Sequence, residues 1–452
     1  MVKKDNYTFL TKAPVGVAIA TMATPTVISM LITSIYNIAD TFFVGKISTQ
    51  ATAAVGVVFP VMAIIQAFGF FFGQGSGTYI SRKLGAKEND NAGKMATTAF
   101  FCSFAFGLLI TIIGLLFLTP ISRMLGSTPS ILPYTEDFLG IVLLGCPFMT
   151  ASMTLNNQLR FQGSASYAMI GIVAGAFLNV LAVPFFTFTL DMGIQGTAIG
   201  TVIGQIISFI ILLAMTRRGG NITIRLKDFS KEKIFYNEIL KGGTPSLSRQ
   251  GLASIATLLL NIAAGMYGDE AIAGMSIVSR ISFVVFSIII GIGQGFQPLC
   301  GFNYGAKQFD RVKEGFLFCI KVDLIFLLFC CIPGFIFAEE TVYVLLHDAD
   351  VVRIGAEALR WQIITYPLAA IITISNMTLQ TSGRTIGANI LASARNGLFF
   401  IPLILLLPSL MGLKGVEISQ AAADLFSFIL TVPIMMNYFK SIGQPIFKIK
   451  TK

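Results

Sequence analysis

One carboxylate sets the first chemical question. Asp40 stands in a long apolar stretch, and Thr26, Ser29, Thr33, Tyr36, Asn37 and Asp40 recur at steps of three and four. That spacing lines up hydroxyls, an amide and an acid on one helical face. An ionisable group among apolar residues is costly unless it is paired or lines a wet cavity. The stripe therefore reads as the wall of an aqueous path. Its carboxyl could load and release a proton between two membrane faces, or its oxygens could hold sodium beside hydroxyls and amides. The plainer alternative is an interfacial acid capping a helix end.

Other residues could join this chemistry. Asn179, Thr197 and Thr201 are polar groups in apolar stretches and are the expected helpers at an ion site. Thr33, Tyr36 and Asn37, with Arg249, are the candidates for touching a substrate. Arg249 has a simpler reading too, in which it snorkels to the cytoplasmic interface. Arg280 and Asp424 each sit well inside an apolar segment. A buried Arg needs a carboxylate, so the two are expected to pair, and removing either would strand the other.

Composition says what must position these groups. Of 452 residues 54% are hydrophobic and 12% are charged, and mean hydropathy is +0.78. Soluble domains carry about 25% charged residues, so a soluble enzyme, a nucleic-acid binder and a disordered chain are excluded. One span needs roughly 20 apolar residues. Twelve spans are expected, near 15–44, 51–79, 95–119, 134–158, 166–189, 193–215, 238–266, 271–300, 315–338, 355–379, 386–409 and 415–439. The fold class is an all-α integral membrane protein.

Charge sorts by side on this map. Twenty-five of the 32 Lys and Arg fall on one side, Arg160, Arg384 and Arg395 among them, against five on the other. The excess of cations marks the cytoplasmic side, so both termini are expected there. The net charge of +10 is thus topology and no ligand signal. The six Cys lie in or at the ends of apolar segments without metal spacing, and the single His347 sits in a loop with Asp348 and Asp350. Neither suggests a metal or a catalytic centre.

The chain repeats itself. At a constant offset of 220, Thr24-Pro25 meets Thr244-Pro245, Gly73-Gln74-Gly75 meets Gly293-Gln294-Gly295, and Gly85-Ala86-Lys87 meets Gly305-Ala306-Lys307. Pro147, Asn156 and Gly163 meet Pro367, Asn376 and Gly383 in the same way. Two homologous six-helix bundles are expected, residues 1–216 and 238–452, joined by a basic linker at 217–237. Repeats of this kind recur in secondary transporters, which bind substrate between the halves and rock them. The counterpart of Asp40 is the apolar Leu260, so the shared frame alone does not demand an acid. Gly73-Gln74-Gly75-Ser76-Gly77 superficially resembles a phosphate loop, but no Lys-Ser or Lys-Thr follows it. Close helix packing is the better reading. Energy must then come from an ion gradient.

These residues resemble a known family. Tyr36-Asn37-Ile38-Ala39-Asp40-Thr41-Phe42-Phe43-Val44-Gly45 looks like the first-helix signature of multidrug and toxic compound extrusion (MATE) transporters. Gly75-Ser76-Gly77-Thr78-Tyr79-Ile80-Ser81-Arg82 and Leu84-Gly85-Ala86-Lys87 resemble its MepA-like and DinF-like bacterial branch, and Leu159-Arg160 with Gly163 resembles the element after the fourth helix. The resemblance covers essentially the whole chain.

It implies twelve helices in two lobes around a central cavity. It also implies export of amphipathic, often cationic compounds in exchange for protons or sodium, with no other cofactor. The family's first-helix acid falls on Asp40, and its Asn-x-x-x-Asp-Pro pattern falls on Asn179, Val183 and Pro184, so Val replaces the second carboxylate. Its sixth-helix polar positions fall on Thr201 and Thr197. A lone carboxylate favours protons, although sodium at Asp40, Asn179 and Thr201 stays open. The expected setting is a bacterial cytoplasmic membrane, with small-molecule drugs and the bilayer as partners, no nucleic acid, and a monomer. The alternative within the superfamily is a flippase for lipid-linked saccharides, which should show several Arg or Lys in its cavity. A membrane-embedded enzyme would need a catalytic constellation that the sequence lacks.

Overall fold

A computed structural model describes residues 6–446, apart from the side chains of 36–41. Tyr36, Asn37 and Asp40 fall in that gap: their backbone is helical, and their side chains lie outside the described residues. Apolar runs with no aqueous partner for the backbone must satisfy every N–H and C=O internally, which selects helices. Among the described residues every regular element is accordingly a helix.

The first half comprises α1 (Asn6–Lys12), α2 (Val15–Gly45), α3 (Thr49–Gly85), α4 (Asn89–Leu116), α5 (Leu118–Met124), α6 (Leu132–Phe161), α7 (Ala165–Pro184) and α8 (Gly193–Met215). A π-helical turn, Phe185–Thr189, continues α7. After a stretch with a short 3-10 turn at Leu226–Asp228 come α9 (Lys233–Gly265), α10 (Asp269–Gly305), α11 (Phe309–Ile336) and α12 (Ala338–Leu345). Then follow α13 (Ala349–Thr381), α14 (Thr385–Ser393), a π-helical turn Ala394–Leu398, α15 (Phe400–Met411) and α16 (Leu413–Ser441).

Among the described residues eleven helical segments are long and apolar enough to cross a membrane, α14 and α15 counting as one. The twelfth expected span, α9, falls outside that set. Lys241, Gly242, Gly243, Ser246, Ser248, Arg249 and Gln250 dilute its apolar content.

The repeat is visible in the helix ends themselves. Adding 220 to the bounds of α3 gives those of α10, and adding 220 to α4 gives α11. The turns that follow also match. Lys87 and Lys307 both adopt positive φ, at 61° and 59°. Each closes a helix with the same pair of bonds: Lys87 N donates to Leu84 O and Glu88 N to Lys83 O, while Lys307 N donates to Tyr304 O and Gln308 N to Asn303 O. This is the Schellman ending that glycine usually provides. A side chain there is strained by about 1–2 kcal/mol. Glycine would relieve the strain but add about 0.4–1 kcal/mol of unfolded-chain entropy. Lys307→Gly is therefore expected to stabilise the protein slightly, by ~0.5–1 kcal/mol. Thermal unfolding in detergent checks it, and a lowered midpoint would contradict the strain argument.

The buried cores show how the halves meet. One cluster joins Val15, Ala18, Ile19 and Met22 of α2 to Phe296 and Leu299 of α10 and Phe316 of α11. Another joins Phe71 and Ile80 of α3 to Phe235 and Ile239 of α9. Both lie toward the end of the bundle that carries most of the Lys and Arg, here called the basic end. Toward the opposite end the cores separate. One holds residues of the first half alone, such as Val58, Phe138 and Leu143. The other holds the second half alone, such as Met275, Leu327, Tyr366 and Phe400. Among the described residues, the halves share a core at the basic end only.

Candidate functional site

The helper residues do come together. Gly200 of α8 lies against Val183 of α7, where an added Cβ would stand 2.7 Å from the Val183 backbone nitrogen. That close approach brings the polar groups of both helices into one buried seam. Asn179 Nδ2 donates to Thr201 Oγ1 at 3.4 Å, and Thr201 Oγ1 donates to Thr197 O at 3.0 Å. Thr197 Oγ1 lies 3.0 Å from Thr187 Oγ1, which the π-helical turn supplies. Thr187 was not legible as a member from spacing alone, because the turn changes the helical period. Asn179, Thr197 and Thr201 are all buried, and the apolar Val183 is fully so.

Among the described residues of the Asn179, Thr201, Thr197 and Thr187 group, one atom is unsatisfied. Asn179 Oδ1 is buried and accepts no hydrogen bond from a described residue. A buried amide oxygen without a donor costs about 1–3 kcal/mol, so the position is suited to a donor or a cation that arrives and leaves. Helix α2, which bears Asp40, packs directly on α7. Along α2 the hydroxyls of Thr26, Ser29 and Thr33 donate to carbonyls four residues back, at 2.8, 2.9 and 2.8 Å. Their donors are used within the helix, leaving oxygen lone pairs facing outward. Thr26 and Ser29 are buried and Thr33 is half-buried.

Two expectations about charged residues are corrected. Asp424 is fully buried, as supposed, but its partner is Arg395, whose Nε lies 2.7 Å from Asp424 Oδ1. Gln420 Nε2 and Thr365 Oγ1 also donate to this carboxylate, at 3.0 and 3.4 Å. Arg280 is exposed and has no part in it. Arg395 was assigned by its charge to the cytoplasmic side, whereas the π-helical turn after α14 carries it inward, 4.2 Å over the ring of Phe286. Arg249 does not snorkel to a surface either. It is half-buried and donates to Asn376 Oδ1 at 2.8 Å.

Arg160 was likewise read as an interfacial cation. It is buried and bonds Gln294 of the other half as well as Asn157, the latter at 2.5 Å. Gln74 completes a chain across the halves, accepting from Gln297 at 3.1 Å and donating to Asn157 at 3.2 Å. The repeated Gly-Gln-Gly tripeptides thus have a packing role. Their glutamines bond across the junction, and their glycines let backbones pass closely: Gly75 against Ile239, Gly295 against Ala23. Nearer the surface Arg82 donates to Thr381 O at 2.8 Å and pairs with Glu238 at 2.9 Å. Arg311 of α11 donates to Ala13 O at 2.6 Å. These bonds tie the halves together at the basic end.

A duplicated helical bundle with a sealed end and a buried polar seam in one half is the architecture of a transporter. A family model described as MatE matches the chain twice, over residues 25–185 and 245–406. The chain belongs to the MatE family. Among MatE relatives, the multidrug export protein MepA of Staphylococcus aureus (strain MSSA476) is 28% identical over 424 residues, covering 93% of this chain and 94% of its own. MepA of Staphylococcus haemolyticus (strain JCSC1435) is also 28% identical, over 93% of each chain.

Solved structures share the fold. A multidrug resistance MATE family transporter in an outward-facing conformation superposes with a TM-score of 0.92 at 24% identity, over 97% of this chain and 99% of that one. A MOP superfamily transporter from Pyrococcus furiosus Vc1 (DSM3638) gives 0.91 at 23%, over 98% and 99%. As a MatE protein the chain is a multi-pass membrane transporter and no enzyme.

Proposed function

We propose that this MatE protein is a secondary active exporter of amphipathic, often cationic compounds, driven by protons entering in exchange. The multidrug export for which its MepA relatives are named supports the substrate class. The observation that carries the coupling is the unsatisfied Asn179 Oδ1 in the α7–α8 seam, on the helix against which α2 packs. In this reading a protonated Asp40 donates to that oxygen, and deprotonation withdraws the donor and favours the opposite-facing arrangement. A proton needs one lone pair, whereas sodium needs several oxygens at once. Thr201 Oγ1 already accepts from Asn179 and Val183 offers none, which supports the proton.

Residues 1–216 and 238–452 are the proposed moving lobes, with 217–237 as the linker between them. The proposed setting is a bacterial cytoplasmic membrane with both termini inside, a monomer, and no cofactor beyond the coupling ion. The test is ethidium transport by the purified protein in vesicles, with a proton gradient and a sodium gradient imposed separately. Transport under the proton gradient alone is the expected result. Transport under sodium alone would overturn the proton assignment. None under either would overturn drug export and leave the lipid-linked saccharide alternative to be tested next.

A further inference from the structure

A second buried carboxyl lies outside the seam. Asp323 stands at the middle of α11, 0% exposed, and neither of its side-chain oxygens has a hydrogen-bond partner among the described residues. Charges on the packed elements do not reach it. Lys321 beside it and Arg280 on α10 are exposed, α2 carries no charge from Val15 to Ile35, and the remaining charges of α12 and α13 lie near their ends away from the basic side. Of the buried tyrosines in the two flanking cores, Tyr366 is bonded to Ser282 and Tyr438 to Ser382, and Asp424 is held by Arg395. The titratable group closest along its own face is the Cys319 thiol, one turn away. An ionised carboxylate cannot be kept in such surroundings without a counter-charge. Sodium would need oxygen ligands, and Phe316, Cys319 and Leu327 on the same face provide none. The occupant that fits is a proton.

Position links that proton to the motion. On the basic side of Asp323, Val312, Phe316 and Cys319 belong to the core shared with α2 of the other half. On its far side, Leu327 belongs to the core of the second half alone. Asp323 stands where the shared core ends. Its counterpart 220 residues earlier is Ser103, whose hydroxyl is satisfied by Phe100 O at 2.9 Å, so the frame does not require an acid here.

We propose that Asp323 is a proton-binding site of the second half, neutral while the halves are packed at the basic end and ionised when they part. Parting opens the shared core and admits water. The carboxyl O–H bond then breaks, its electron pair stays on the carboxylate, and the proton leaves on that water. Reclosure requires a proton to return from water to the carboxylate. The site thereby makes closure of the basic end conditional on protonation, a coupling that rests on the alternating-access reading above.

The test compares the full-length wild type with Asp323→Asn and Asp323→Leu. Infrared difference spectra of wild type against Asp323→Asn at neutral pH should show the carbonyl stretch of a protonated carboxyl that the variant lacks. Both variants replace a neutral group by a neutral one, and Asp323→Leu, which also removes the unsatisfied polar atoms, should unfold at or above the wild-type temperature. Proton-driven ethidium transport should fall roughly 5- to 150-fold, the span of ordinary coupling free energies, with a flattened pH profile. Absence of the band would mean an ionised Asp323 and would overturn the proposal. So would unchanged transport and pH profile in both variants. Should the wild type move no ethidium, drug export fails, while the infrared comparison still decides the protonation of Asp323.

Discussion

Arg395→Leu is expected to destabilise the protein by about 3–5 kcal/mol, the cost of stranding a buried charge. Asp424 is fully buried and receives donors from Arg395, Gln420 and Thr365, but among the described residues only Arg395 supplies a counter-charge. Without it the carboxylate must stay ionised in low dielectric or take up a proton, and both raise the energy of the fold. Arg395→Leu/Asp424→Leu should recover most of the loss, because apolar replacements of a whole pair are often neutral. Recovery will be incomplete. The guanidinium over the Phe286 ring contributes roughly 0.5–2 kcal/mol more, and that contact is lost in both. The measurement is the folded yield and unfolding temperature in detergent. A single variant as stable as the wild type, or a double variant no better than the single, would contradict the account.

Asp40→Asn should reduce proton-driven efflux to the level of protein-free vesicles without lowering expression. Asparagine has the shape of a protonated aspartic acid and can still donate to an acceptor such as Asn179 Oδ1. It cannot lose a proton, so the proposed cycle halts in one state. Substrate binding in equilibrium assays should survive, which separates a blocked cycle from a damaged pocket. Wild-type efflux by the variant would remove Asp40 from the coupling role.

What the sequence made legible follows from what sequence periodicity encodes. The constant offset exposed the matching helices, α3 with α10 and α4 with α11, because a repeat is a property of position along the chain. The Arg280–Asp424 pairing failed for the complementary reason. Position along a helix does not say which way a side chain faces once a π-helical turn intervenes, and such a turn is what brings Arg395 to Asp424. Arg160 was misplaced by its closeness to a helix end, although the duplication held a clue. Its counterpart is Gln380, which donates to Gly242 O and Ser246, so both positions are used to join helices. Asp323 was not singled out from the sequence, although it is an acid in an apolar run, because only packing shows that no described residue comes to meet it.

The coincident ends of α3 with α10 and of α4 with α11 carry a consequence of their own. Over these segments the two copies have diverged without gaining or losing a residue, so substitution alone separates them. The matching glycines and turns fix a common scaffold. Asp323, Arg395 and Asp424 belong to one copy, while Asp40 and the Asn179–Thr201 seam belong to the other. Titratable groups thus differ between copies that keep one frame: substitution alone can change them while the matching glycines and turns hold the register.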